Sequence, residues 1–165
     1  MGMGNHSWRK PRQNPYGSFM MSPQRLVDEL NALHDKYLSL NNFELSNALT
    51  DRPMLKMIAV TLANNTYCLL ADLTGYPEQM PDLYVLKELR MRDGSKMGAS
   101  GSMHCLGTLN GRTQICLGRE CCWSPSTHFH DIYIKGKLWL EGYENYLRTG
   151  QVIATFLKEQ NISHN

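Results

Sequence analysis

The residues of this sequence with the most chemistry to offer are its five cysteines, Cys68, Cys105, Cys116, Cys121 and Cys122, four of them between positions 105 and 122. An odd, clustered set does not read as a disulfide framework. In a reducing compartment such thiols pack a core, hold a metal or act as nucleophiles. The possible zinc ligands are Cys105, Cys116, Cys121, Cys122, His128 and His130. Structural zinc asks for paired ligands, usually about two to four residues apart. Adjacent Cys121 and Cys122 aim poorly at one ion, His128 and His130 should diverge at the start of a helix, and there is no Cys-x-x-Cys. No metal and no cofactor is therefore expected. Core packing is the expectation for Cys68, within a strand-like run, and for Cys121 and Cys122; Cys105 stays open. A nucleophile is the third option. Cys116 lies between Ile115 and Leu117, with Gly111 and Gly118 allowing tight turns around it and Arg112 and Arg119 near enough to favour a thiolate. A thiol ionised to only a few per cent at neutral pH is still a good nucleophile. Residue types and spacing alone leave Cys105, Cys116 and Cys122 as candidates.

The elements that must position these thiols come in a clear order. Ser22 suits a helix cap and Pro23 the first helical position. Leu26, Leu30, Leu33, Tyr37 and Leu40 then make one apolar stripe, ending near Asn41-Asn42. Short apolar runs follow at 43–49, 54–62, 67–73 and 83–86, divided by Asp51-Arg52-Pro53, by Asn64-Asn65 and by a Pro-rich segment. This predicts a four-stranded antiparallel meander. Residues 87–103 are polar and Gly/Ser-rich and predict a long surface loop. Residues 104–125 read as an irregular, cysteine-bearing segment. A second helix is expected from Phe129, with Ile132, Tyr133, Gly136, Trp139, Leu140, Tyr143, Tyr146 and Leu147 on one face; Gly150 stops it, and a last short helix covers 152–158. Helices set around one antiparallel sheet make an α+β fold.

Composition narrows the function classes. The chain has 165 residues, 42% hydrophobic and 19% charged, with a formal charge of +2. That suits one domain, over 22–160, and is too apolar for wholesale disorder. Residues 1–21, with Arg9, Lys10 and Arg12, read as a flexible basic arm without the apolar stretch of a secretory signal, and 161–165 as a tail. No apolar run approaches the roughly 20 residues that cross a bilayer, so a cytoplasmic protein without membrane attachment is expected. Near-neutral charge gives no case for nucleic-acid binding.

An ordered set of motifs adds to this. Tyr76-Pro77-Glu78-Gln79-Met80-Pro81 follows the third strand-like run, His104 precedes Ile115-Cys116-Leu117, and Trp123-Ser124-Pro125 leads into the second helix. The chain resembles ubiquitin-conjugating enzymes in these motifs and in their order, over about residues 22–160. Thr113-Gln114-Ile115-Cys116, Trp139-Leu140-Glu141-Gly142-Tyr143 and Leu147-Arg148-Thr149-Gly150 resemble stand-alone bacterial members, associated with cyclic-oligonucleotide anti-phage (CBASS) operons. The resemblance implies a transferase with Cys116 as nucleophile, carrying a protein C-terminus as a thioester and delivering it to a lysine amine. It implies as acyl donor a ubiquitin-like protein or a cGAS-like nucleotidyltransferase, with an activating enzyme upstream. His104 would support the site loop. The family's Asn two residues after the His is replaced by Leu106, so Asn110, in the adjacent Asn-Gly turn, is the candidate for oxyanion support. The rival expectation is a non-catalytic interaction module on the same fold.

Overall fold

The computed structural model describes residues 21–162. Helix α1 (Pro23–Lys36) is capped by the Ser22 hydroxyl, which accepts the Arg25 N–H at 3.2 Å. It ends earlier than its apolar stripe predicts. The chain leaves the helix at Tyr37, Leu38 turns inward to the core, and Tyr37 and Leu40 stay exposed.

Four strands follow as the alternation predicts: β1 (Phe43–Ser46), β2 (Met54–Val60), β3 (Thr66–Asp72) and β4 (Asp82–Val85). The sheet does not stop there. Residues 104–125 are not wholly irregular but contain a hairpin, β5 (Cys105–Leu109) and β6 (Arg112–Ile115), so the antiparallel sheet has six strands in the order β1-β2-β3-β4-β6-β5. Asn110 and Gly111 both have positive φ, 52° and 79°. That pair makes the two-residue turn whose twist matches the flanking strands. Strand β6 pairs with β4, Leu83 opposite Ile115, and so joins the hairpin to the end of the meander, with β5 outermost.

Helix α2 (Phe129–Thr149) and helix α3 (Ile153–Ile162) complete the α+β plan, with Gly150 in the left-handed conformation between them. One face of the sheet, Leu55, Met57, Ala59, Leu69, Ala71, Leu83 and Val85, packs under Phe129, Ile132, Trp139 and Leu140 of α2. Each such fully buried large side chain contributes about 1.5–3 kcal/mol. The close approach is made at Gly136, where a Cβ would stand 2.7 Å from Leu69 Cδ1.

Residues 87–103 depart from the expected surface loop. Leu89, Met97 and Met103 are buried, and the hydroxyls of Tyr143 and Tyr146 stitch the segment to α2. Tyr143 donates to the Arg90 carbonyl at 2.8 Å and Tyr146 accepts the Arg92 N–H at 3.2 Å. The aromatic face of α2 thus buries its rings in the core while its polar tips satisfy loop backbone. Met21 is also buried and Asn161 continues α3; the rest of the expected arm, and residues 163–165 of the expected tail, lie outside the described residues.

Candidate active site

Strand β6 delivers Cys116. The residue stands immediately past Ile115, and its backbone N–H donates to the His104 carbonyl at 2.9 Å. The same carbonyl accepts the indole N–H of Trp139 at 3.1 Å, a donor shared with the Met103 carbonyl at 3.0 Å. Trp139 is only 1% exposed. A buried indole on α2 therefore fixes the His104 loop, and the loop fixes the backbone of Cys116. The contacts of His104 here are made by its carbonyl, with the backbone at a φ of 45°, and the residue lines the cleft together with Cys116.

The cleft has a volume of about 240 Å³, and Cys116, which is partly exposed, lines it. Its floor and walls are apolar: Ile115, Leu117, Leu138, Trp139 and Leu157. The polar groups on its rim are His104, Lys135 and Asn161. Lys135, Leu138 and Trp139 face it together because they recur at three and four residues along α2, and Leu157 and Asn161 because they are four apart on α3. The nearest partner recorded for the Cys116 sulfur is the Gly118 carbonyl at 3.8 Å, too long for a strong bond. The residue is held in place by its backbone, and its sulfur carries only this long contact.

The other thiols fare differently. Cys105 is 2% exposed, accepts the Gly107 N–H at 3.3 Å, and has its thiol pushed up by burial, with negative charge at Cys116 adding to the rise. It is sealed. Cys68 is half-buried in β3, and burial raises it too, offset by the charge of Lys56. Cys121 and Cys122 are not packing residues: both are exposed, on the 3-10 turn Glu120–Cys122.

Asn110 lies at the hairpin tip, the far end of β6 from Cys116. Four residues of strand separate them, about 13 Å at strand rise. Its turn geometry accounts for it, and the fold does not bring it to the thiol. Lys135 and Asn161 do reach the cleft, and no sequence motif singles them out. His128 and His130 do not diverge as expected: their rings stack at 4.9 Å because His128 is the cap of α2 and not within it. His128 is committed to Glu29, Nδ1 to Oε1 2.8 Å. Among the described residues, no three His, Cys, Asp or Glu side chains converge as a metal site.

The Tyr76-Pro77 turn and Trp123 brace the other side of the segment. The Trp123 indole N–H donates to the Pro77 carbonyl at 2.8 Å and its ring meets Tyr76 edge-on. Tyr76 donates its hydroxyl to the Thr127 carbonyl and receives a hydrogen bond from Arg25. Burial first, then the charge of Glu29, holds its phenol well above the usual range.

Comparison with protein families, with curated proteins and with solved structures gives no match. Function has to be argued from the site. Among the described residues no helix is long and apolar enough to cross a membrane.

Proposed function

We propose that this protein is a thioester-forming transferase of the ubiquitin-conjugating type, with Cys116 as its nucleophile. The observation that carries the proposal is Cys116 itself, fixed through its backbone, with only a long contact at sulfur, and lining a narrow, mostly apolar cleft. The cleft is smaller than the roughly 300–1,000 Å³ of small-molecule sites. Its size and lining suit an extended main chain with small side chains, as at a protein C-terminus.

The chemistry follows in two balanced steps. The Cys116 thiolate attacks the activated C-terminal carbonyl, and the donor's leaving thiolate departs, giving a thioester. A lysine amine then attacks that carbonyl, loses a proton to solvent, and expels the Cys116 thiolate, leaving an amide. The first exchange is near balance and the second runs downhill. Each step develops negative charge on the carbonyl oxygen, and a donor placed there lowers the barrier. Among the polar residues lining the cleft, those with a donor suited to that task are Lys135 and Asn161. The acyl donor on this reading is a ubiquitin-like protein or a cGAS-like nucleotidyltransferase, loaded by an activating enzyme, in the cytoplasm of a bacterium defending itself against phage.

One observation favours the rival, a non-catalytic interaction module: Leu106 stands where the family has its Asn, and Asn110 is remote. Trapping separates the two. With activated donor, the wild type should form an adduct released by added thiol. Cys116→Ser should give an adduct that thiol does not release, and Cys116→Ala none. An adduct retained by Cys116→Ala overturns the assignment.

A further inference from the structure

Beyond the cleft, Cys121 and Cys122 place two exposed sulfurs 3.5 Å apart, in S–H···S contact. The turn beneath them is tied at both ends. The Cys122 N–H donates to the Arg119 carbonyl at 3.0 Å, the Trp123 N–H to the Glu120 carbonyl at 3.2 Å, and the Trp123 indole is anchored on Pro77. Neither thiol contributes to the core. The hydrogen bond with Cys121, followed by the charge of Cys121, raises the Cys122 thiol above its ordinary value.

We propose that Cys121 and Cys122 are a vicinal dithiol, a modification site that reacts with low-molecular-weight disulfides of the glutathione type. The ionised thiol of the pair attacks one sulfur of the small disulfide, forming a mixed disulfide and expelling one small thiolate. The second thiol gives its proton to solvent and attacks the protein-side sulfur, expelling the other small thiolate. Two protein thiols are oxidised to one disulfide, and one small disulfide is reduced to two thiols. Closure is fast because the partner sulfur is already in contact. Neighbouring Cα atoms are about 3.8 Å apart, below the roughly 4.4–6.8 Å usual across a disulfide. The closed ring is therefore readily reduced, a labile link and not a structural staple. Cys105 is sealed and Cys116 faces its cleft, so the pair reacts within itself and independently of any thioester at Cys116.

Tryptic mapping resolves every thiol in the segment, because cleavage places Cys105 in 97–112, Cys116 in 113–119, and Cys121 with Cys122 in 120–135. The reduced full chain is treated with oxidised glutathione, quenched by alkylation in denaturant and digested. Peptide 120–135 should lose two hydrogens and both alkylation sites, recover both with dithiothreitol, and do so equally in Cys116→Ser. Peptide 97–112, whose Cys105 is buried, should remain alkylated. Cys122→Ser should stop at a stable glutathione adduct on Cys121. Full alkylation of 120–135, a lasting adduct on the wild-type pair, or a cross-link from Cys116 to 120–135 overturns the proposal.

Discussion

Helix α2 serves two regions held in opposite ways. Along the seams that join it to α1 and to the β2–β3 turn, buried carboxylates are fully engaged. Glu29, 3% exposed, accepts from His128 Nδ1 at 2.8 Å and from the Phe129 N–H at 2.9 Å, with Arg25 at 3.5 Å. Glu144, 5% exposed, accepts from the Thr61 hydroxyl at 3.1 Å and the Asn65 amide at 3.0 Å. In the cleft, the side chain that matters has no strong partner, and only backbone is pinned. A buried carboxylate without its donors would cost several kcal/mol, so the seams tolerate no slack. A nucleophile committed to a strong hydrogen bond would have to break it before reacting. The difference teaches that the fold concentrates side-chain hydrogen bonds where they fix the helix and withholds them from the thiol.

The sharpest way to break this contrast is at the two centres. Cys116→Ala should abolish thiol-labile adduct formation entirely while leaving the denaturation midpoint nearly unchanged. Glu29→Ala should do the reverse. It strips His128 and the Phe129 N–H of their acceptor, and the expected loss is about 3 kcal/mol in urea unfolding. At a temperature where the variant is folded, adduct formation per folded molecule should stay within about twofold of wild type, because two separated sites act independently. If Glu29→Ala slowed the thiol as much as it loosened the fold, the two regions would not be separate.

A subtler effect is expected at the link between them. Trp139→Phe keeps a buried aromatic ring, smaller than the indole, and removes the N–H shared by the Met103 and His104 carbonyls. Losing a buried hydrogen bond of about 1–1.5 kcal/mol should slow adduct formation by up to roughly tenfold through a looser Cys116 backbone. Alkylation of Cys116 by a small reagent, which needs no fixed geometry, should change little. Equal losses in both assays would mean that the indole acts only by holding the fold together.

What was legible in advance divides along the same line. The helices and the first four strands show in the sequence because apolar periodicity and punctuating turns are local signals. The β5–β6 hairpin is short, broken by Gly107, and set among cysteines, so its strands give almost no alternation; its one clear mark is the Asn110-Gly111 turn. His104 and Cys116 can be named from motifs, yet the role of His104 is carried by a carbonyl that every residue has. Lys135 and Asn161 meet at the cleft only because α3 folds back on α2 at Gly150, a long-range event without a local signature. The exposure of Cys121 and Cys122 is equally non-local: cysteine is usually buried, and which cysteines the tertiary fold covers has no mark in the neighbouring residues.

The smallest effect concerns the seam at high pH. Tyr67 is pushed up to about 12 from its ordinary value of 10, by burial first and then by the charge of Glu144. Below pH 10 both folded and unfolded chains keep this proton, so its contribution to stability is fully present. Between pH 10 and about 12 the unfolded chain gives up the proton while the folded chain retains it, and stability falls as pH rises. Tyr67→Phe removes the ionisation, so its unfolding midpoint should decline less steeply across that window. Glu144→Gln, which keeps an acceptor but not the charge, should lower the Tyr67 transition in a phenolate absorbance titration. A transition unmoved by Glu144→Gln would uncouple Tyr67 from the carboxylate that pins the β2–β3 turn to α2, and leave its rise to burial and the charges of Tyr143 and Glu141.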